Sequence, residues 1–219
     1  MNVSRNGWKI ITIALLVYVV IAGLLNDVPR LPILNETIRN LYFHVPMWFG
    51  QIIIFTFAIV NGLLYLSKRD LKYDIRAQSA TTVGMLYGCL GLMTGMLWGK
   101  FTWGTFWSSD PKLNCTAIGM LIYLAYFVLR NSFSDIDKRA QYASIYSIFC
   151  FVMFNVLIFV IPRMREFSIH PGNGGNPGFA TYDLDAKMRM VFYPAVLGWS
   201  LLAIWIYTLL ARYRFLKHQ

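Results

Sequence analysis

Charged residues are scarce in this chain. They make up 14% of its 219 residues, whereas a typical soluble domain is about a quarter charged. Hydrophobic residues make up 57%, and the charges are grouped between long apolar runs. A helix needs roughly 20 mainly apolar residues to cross a bilayer. The scarcity of charge therefore argues against a soluble domain and indicates a protein that crosses a membrane several times.

Cysteine is also sparse. The three cysteines lie in or at the ends of apolar runs, at Cys89, Cys115 and Cys150. They form no C-x-x-C pair, so the sequence supports neither a dithiol exchange motif nor a zinc knuckle, and no C-x-x-C-H segment for covalent haem attachment is present. Paired carboxylates, a nucleophile–base pair and a phosphate-binding glycine loop are also not evident. These absences favour binding or transfer over an enzymatic reaction.

Six apolar runs are long enough to span a membrane. They predict an all-α polytopic membrane protein with a single domain over residues 1–219, and the spans are residues 8–25, 41–66, 81–97, 115–129, 142–161 and 191–210. Between them lie a tryptophan-rich loop at 98–114 and a loop at 162–190. The first run follows two basic residues, as a secretory signal does. Its length and the lack of a clear cleavage site favour a membrane helix.

The basic residues predict the orientation of the chain. The N-terminus, the second and fourth loops and the C-terminus together carry twelve lysines and arginines, and the remaining loops carry eight. Because positive residues accumulate on the cytoplasmic side, both termini are expected to be cytoplasmic. The net charge of +10 then reflects cytoplasmic loops next to lipid headgroups, and it does not indicate nucleic acid. The loops at 98–114 and 162–190 are expected on the outer side.

The outer loop that begins WGKFTWGTFWSSDPKL contains three tryptophans, Trp98, Trp103 and Trp107. Tryptophan collects at membrane interfaces, so an aromatic belt would explain any one of them. Two of them are four residues apart, however, which would place both on one face of a short helix. Gly99 and Gly104 leave space for a bulky object near the backbone. Together these features favour a large, flat, apolar ligand.

Two of the three histidines, His44 and His170, fall on the same outer side in this topology. A single histidine at a membrane edge is usually only interfacial. Neutral imidazole is nevertheless a good iron ligand, and two histidines beside an aromatic platform predict a haem site with both as axial ligands. Five cations suited to the haem propionates lie on the same side, and they are Lys100, Lys112, Arg163, Arg165 and Arg189. Of these, Lys112, Arg163 and Arg165 are the predicted propionate contacts.

Two segments carry a resemblance to a known family. WGKFTWGTFWSSDPKLNCT at residues 98–116 resembles the tryptophan-rich signature of the WWD family of haem-handling proteins in cytochrome c biogenesis, and YFHVPMWF at residues 42–49 resembles the family's first-histidine segment. The CcmC branch, which has six helices, is the most similar. The resemblance implies haem b, bound non-covalently with His44 and His170 as axial ligands. The residues that match the WWD segment are Trp98, Trp103, Trp107 and Asp110. Independently, Asp110 followed by Pro111 is a helix-start signal.

The resemblance also implies a location and partners. Members of the CcmC branch are multi-pass proteins of the bacterial inner membrane that hold haem at its periplasmic face. They present the haem to CcmE, a membrane-anchored haem chaperone, and act with the small subunit CcmD and the ABC transporter pair CcmA and CcmB. The expected partners are therefore these proteins and membrane lipid, and no nucleic acid.

Some residues depart from the family's core pattern WGTWWxWDxRLT. Phe106 and Ser109 replace tryptophans, and Lys112 replaces an arginine, which keeps the charge but not the planar, bidentate grip on a carboxylate. SIHPGNGG at residues 168–175 is more similar to the CcsA branch, so a haem lyase that attaches haem directly to apocytochrome c stays an alternative. A haem or solute permease is a third reading. The predicted helices hold few polar residues for such a path beyond Asn61 and Asn155.

Overall fold

A computed structural model describes residues 3–31, 33–164, 168, 170 and 184–217 of the chain. Six helices dominate these residues, and each is long and apolar enough to cross a bilayer. They are α1 (Val3–Leu25), α2 (Leu41–Lys68), α3 (Leu71–Trp103), α4 (Pro111–Asn131), α5 (Ile136–Asn155) and α6 (Ala186–Lys217). A 3-10 turn, Asn35–Asn40, precedes α2, and α5 continues through Val156–Val160 and Ile161–Met164. The described ranges contain no strand, so the expectation of an all-α fold with six candidate spans is confirmed.

The helices are longer than the apolar runs. Three of them begin at an aspartate whose carboxylate accepts the backbone N–H two or three residues later, at Asp70, Asp110 and Asp135. The apolar run marks only the part of a helix that crosses lipid, and these polar caps extend α3, α4 and α5 beyond it. The loop predicted to begin at residue 98 begins instead at Gly104, because α3 continues to Trp103.

α2 is the central helix of the bundle. It packs against α3, α5 and α6, whereas α1 packs mainly on α6 and α4 mainly on α5. α3 and α4 barely contact each other along their length. They are joined by a bidentate ion pair in which the Arg130 guanidinium donates to both carboxylate oxygens of Asp74 at 2.7 and 2.6 Å. Both side chains are buried, although the sequence analysis placed them outside the spans.

A stripe of glycines on α3 faces α2. Gly84, Gly88, Gly91 and Gly95 recur at intervals of four, three and four residues and therefore lie on one side of the helix. A Cβ atom at Gly84 would lie 2.3 Å from the Phe55 ring, and one at Gly95 would lie 2.7 Å from Cε1 of His44. The missing side chains allow α2 and α3 to approach closely. This approach brings His44 against the backbone of α3.

The ends of the helices meet at two faces. The start of α2 and the ends of α3 and α5 meet the start of α4 around one cavity. The connections Lys68–Leu71 and Asn131–Ile136 lie at the opposite ends of the same helices. His44 and His170 are therefore at one face of the bundle, as the helix count predicts. Which face is cytoplasmic is an expectation from charge alone.

Candidate functional site

His44 lies in the first turn of α2 and is buried, with 5% of its surface exposed. Its Nδ1 atom is 3.0 Å from the carbonyl oxygen of Gly91 and 3.1 Å from Oγ1 of Thr94, both on α3. A carbonyl oxygen can only accept, so Nδ1 carries the proton and donates it. The lone pair of the neutral ring is then on Nε2. This is the tautomer that a metal-binding histidine needs, and the hydrogen bond at Nδ1 fixes the ring orientation.

Two tryptophans flank the His44 ring edge to face. The Trp48 ring centre is 6.0 Å and the Trp98 ring centre 5.8 Å from that of His44. Trp48 also donates its indole N–H to Nε2 of His44 at 3.3 Å. Trp98 is buried, and its indole N–H donates to Oγ1 of Thr37 at 3.1 Å, which links the end of α3 to the 3-10 turn before α2. The histidine thus stands in a rigid aromatic frame.

His170 lies opposite His44. The two ring centres are 6.3 Å apart, and the ring planes are inclined by 42°. A metal between two imidazoles is about 2 Å from each nitrogen, and each nitrogen is about 1 Å from its ring centre. The expected separation of the ring centres is then about 6 Å, so the observed spacing has room for one metal ion between the rings.

Both histidines line one apolar cavity of about 420 Å³. This volume lies in the range of about 300–1,000 Å³ that is usual for small-molecule and cofactor sites. The wall is built from α2, α3, α4, the end of α5 and His170, and all three predicted tryptophans, Trp98, Trp103 and Trp107, contribute to it. Trp107 is 38% exposed, so the cavity is partly open on that side.

Trp103 and Trp107 line the cavity, but not from one face of a short helix as expected. The four-residue spacing predicted a short helix with Trp103 and Trp107 on one face. In the structure Trp103 ends α3, and Gly104 follows in a left-handed conformation with φ of 78°, which turns the chain. The Trp107 indole N–H donates to Oδ1 of Asn114 on α4 at 3.2 Å. The prediction of a shared helix face was wrong, but both rings line the same cavity.

Two of the three predicted cations also line the cavity. Lys112 is half-buried at the start of α4, and Arg163 is exposed at the end of the α5 extension. The Arg163 guanidinium donates to the carbonyl oxygen of Phe159 at 2.6 Å. Positive charge beside an apolar cavity suits a ligand with an apolar body and an anionic edge. Arg165 lies outside the described residues.

Asp110 does not line the cavity. It is buried, and its Oδ1 accepts the backbone N–H of Lys112 at 2.9 Å, which confirms the helix start predicted at Asp110 and Pro111. Its other oxygen, Oδ2, accepts the hydroxyl of Ser168 at 2.8 Å. The sequence analysis missed Ser168. The only signal was its place two residues before His170, because the contact joins positions 58 residues apart.

The donor set fits a haem. The described residues contain no group of three or more His, Cys, Asp or Glu side chains that converge on one point. Two imidazoles alone would hold a bare ion incompletely, whereas a macrocycle supplies four further nitrogens and needs two axial ligands. The apolar, aromatic walls fit the faces of such a ring.

The polar residues considered for a transport path are satisfied locally. The side-chain amide of Asn61 donates to the carbonyl oxygen of Phe57, and that of Asn155 donates to Phe151, each at 2.8 Å within its own helix. Neither asparagine lines the cavity. The two therefore do not form a polar route from the cavity through the bundle.

Comparisons with known proteins show the family to which the chain belongs. The family model CcmC, described as heme exporter protein C, matches residues 3–219. A heme exporter protein C from Rhodobacter capsulatus is 33% identical over 137 residues, which are 58% of this chain and 57% of the relative. The homonymous protein of Paracoccus denitrificans is 32% identical over 107 residues, 49% and 44% of the two chains. The heme exporter protein C of Haemophilus influenzae is 25% identical over 180 residues, which are 82% of this chain and 71% of the relative.

The chain spans about half the length of the first two of these relatives. The match to the family model, in contrast, extends over nearly all of this chain and includes both histidines and the tryptophan-rich segment. On that match, the chain belongs to the CcmC, or heme exporter protein C, family.

Proposed function

We propose that this protein holds haem b between His44 and His170 at the periplasmic face of the bacterial inner membrane and delivers it for cytochrome c maturation. The observation that carries the proposal is the 6.3 Å separation of the two imidazole ring centres within one apolar cavity. The name heme exporter protein C of the relatives supports haem as the cargo.

The contacts of His44 with α3 suit a metal-binding histidine. Its Nδ1 hydrogen bond to Gly91 directs the lone pair on Nε2 into the cavity and raises the basicity of that nitrogen. Trp98 packs against the ring edge to face and restricts its rotation. The chain therefore supplies one axial ligand from a rigid helix pair. The other comes from the segment between α5 and α6.

The partly open cavity suits delivery rather than storage. Lys112 and Arg163 hold the propionate edge by charge, while the exposed side of Trp107 leaves part of the ring accessible. An acceptor must reach a vinyl group of the haem to form a bond with it. We infer that the acceptor is a CcmE-type haem chaperone, and that a CcmD-type subunit and a CcmA/CcmB transporter act with this protein. Family membership supports this set.

Absorption spectroscopy of the purified protein tests the haem site. The wild-type protein, expressed with sufficient haem and purified in detergent, should show a low-spin spectrum of bis-histidine haem. His44→Ala and His170→Ala should each lose that spectrum, and His218→Ala is the control because it removes the third histidine, which lies on the C-terminal tail. Unchanged spectra in both site variants would remove the axial assignment.

A co-expression experiment tests the delivery step. Haem should become covalently bound to a CcmE-type chaperone when the two proteins are expressed together, and His44→Ala should abolish this. Formation of holocytochrome c from apocytochrome without any chaperone would favour the lyase alternative instead.

A reporter fusion tests the orientation. A C-terminal fluorescent protein should fold in the cytoplasm, and a C-terminal alkaline phosphatase should be inactive. The opposite pattern would place the cavity on the cytoplasmic side and contradict delivery at the periplasmic face.

A further inference from the structure

Asp110 and His170 are connected through one hydroxyl group. The Ser168 hydroxyl donates to Oδ2 of Asp110 at 2.8 Å. The Ser168 hydroxyl oxygen in turn accepts the backbone N–H of His170 at 3.2 Å. The other carboxylate oxygen of Asp110 accepts the backbone N–H of Lys112 at 2.9 Å. The start of α4 is thereby tied to the backbone of the second histidine.

The burial of Asp110 exceeds what a helix cap needs. Asp70 and Asp135 cap α3 and α5 through the same kind of bond, yet Asp70 is only half-buried and Asp135 is exposed. Asp110 is only 5% exposed, and removing a carboxylate from water costs free energy unless it is well hydrogen-bonded. Capping alone therefore does not explain why this aspartate is buried against the segment that carries His170.

We propose that Asp110 is a positioning residue for the axial ligand His170, and that it acts through the Ser168 hydroxyl without contacting the haem. The inference rests on the proposed haem site. His44 has its own support from Gly91 and Thr94 on α3. His170 is connected to Asp110, the N-cap of α4, through the Ser168 hydroxyl. Each axial ligand is thus oriented by a different helix, and the Asp110–Ser168 contact governs only one of them.

Because different helices orient the two histidines, a substitution can weaken ligation by His170 without affecting ligation by His44. If the contact between Asp110 and Ser168 is lost, the His170 backbone is held less firmly and its ring occupies the position opposite His44 less often. The haem should stay attached to His44, because the bonds at Nδ1 are untouched. Loss of a hydrogen bond to a charged group is expected to shift the bound-to-free ratio of His170 by about tenfold or more.

Two variants test the inference. Asp110→Asn keeps a good helix cap but replaces one of the two carboxylate oxygens with an NH2 group and removes the negative charge. Ser168→Ala keeps the carboxylate and removes the hydroxyl. Both should retain haem and convert it from low-spin to mainly five-coordinate, high-spin haem in absorption and electron paramagnetic resonance spectra. Added imidazole should restore the low-spin spectrum by taking the vacated position. Ser168→Thr, which keeps the hydroxyl, should remain low-spin.

The control is Asp135→Asn, a cap variant at the opposite face of the bundle, and its spectrum should match the wild type. A low-spin wild type with unchanged Asp110→Asn and Ser168→Ala spectra would overturn the positioning role. So would a Ser168→Ala protein that loses its haem altogether and is not restored by imidazole, because that result indicates a general structural role. A wild-type protein that binds no haem would contradict the proposed function itself.

Discussion

The indole nitrogen of Trp48 lies 3.3 Å from Nε2 of His44, the nitrogen whose lone pair is available to a metal. The two residues are one helical turn apart on α2, and the Trp48 ring packs against the backbone of Gly91, the residue that also accepts the Nδ1 proton of His44. Trp48 therefore donates to the lone pair that iron would use. Haem ligation requires this N–H to be displaced, so the hydrogen bond competes with haem.

Trp48→Phe should consequently hold haem longer. Phenylalanine keeps an aromatic wall but has no N–H, so binding no longer breaks a hydrogen bond. A typical bond of this kind corresponds to a change of about 2- to 10-fold in an equilibrium. The measurement is the rate of haem loss to an excess of apomyoglobin, with Trp205→Phe, outside the cavity, as the control. Faster loss from Trp48→Phe would mean that Trp48 serves only as a wall.

Gly95 provides the space into which the His44 ring fits. A Cβ atom at this position would lie 2.7 Å from Cε1 of His44, and the Trp98 ring also packs edge to face with the His44 ring. Gly95→Ala should push the ring out of line and lower the affinity for haem by about tenfold, since overpacking costs about 1–3 kcal/mol. Haem titration of the haem-free protein measures this.

Gly7→Ala is the matched control for Gly95, because a Cβ atom at Gly7 would meet no atom within 4 Å. Gly7→Ala should bind haem as the wild type does. If Gly95→Ala did the same, His44 would have more freedom than the contacts with α3 suggest.

The number and order of the helices could be predicted from the sequence, and their ends could not. Hydropathy reports the lipid-crossing part of a helix, so the polar first turns of α3 that begin at Leu71 were assigned to a loop. For the same reason, hydropathy places Asp74 and Arg130 outside the spans, although both are buried. They stand 56 residues apart, and a lone charge in a sequence normally indicates a water-exposed segment. Only the three-dimensional structure reveals that the two charges form an ion pair.

The residues that meet at the site could be predicted from the sequence, but the distances between them could not. Helix parity places His44 and the segment around His170 at one face, and the tryptophan spacing points to a flat ligand. Distances such as that between the two rings depend on tertiary packing. The glycines from Gly84 to Gly95 did carry a usable signal, since their four-three-four spacing on one helix face is typical of close helix contacts. The contact between Ser168 and Asp110 joins positions 58 residues apart, so the place of Ser168 near His170 did not predict it.

Lys112 and Arg163 should contribute unequally to haem binding. Lys112 is half-buried beside the cavity, and Arg163 is exposed. Because water screens exposed charges, Lys112→Ala should weaken haem binding by about tenfold and Arg163→Ala by less than about fivefold. Haem dimethyl ester, which lacks the propionate charges, should bind the wild type and both variants equally well.

Lys100→Ala controls for the general effect of removing a nearby cation. Lys100 donates to the carbonyl oxygen of Gly104 and does not line the cavity. An equal loss of affinity for haem and its ester in the Lys112 variant would show that Lys112 shapes the cavity and does not bind propionate.

The Asp74–Arg130 ion pair should stabilise the bundle without affecting the haem site. Arg130→Met leaves the Asp74 carboxylate buried and unpaired, and breaking a buried pair in this way typically costs about 3–5 kcal/mol. The free energy of unfolding, measured by denaturant titration in detergent, should fall by that order. The spectrum of the haem bound to the folded fraction should stay unchanged, because the pair joins α3 and α4 at the end of the bundle away from the histidines.

Two further variants test whether the loss of stability comes from leaving a buried charge unpaired. The pair between the Lys72 and Asp70 side chains is exposed to water, so Lys72→Ala should leave the free energy of unfolding nearly unchanged. Replacing both Asp74 and Arg130 by leucine and methionine should recover most of the loss, because neither partner is then left as a buried charge. If the double variant were as unstable as Arg130→Met, the two helices would depend on the geometry of the bidentate contact and not merely on charge neutrality.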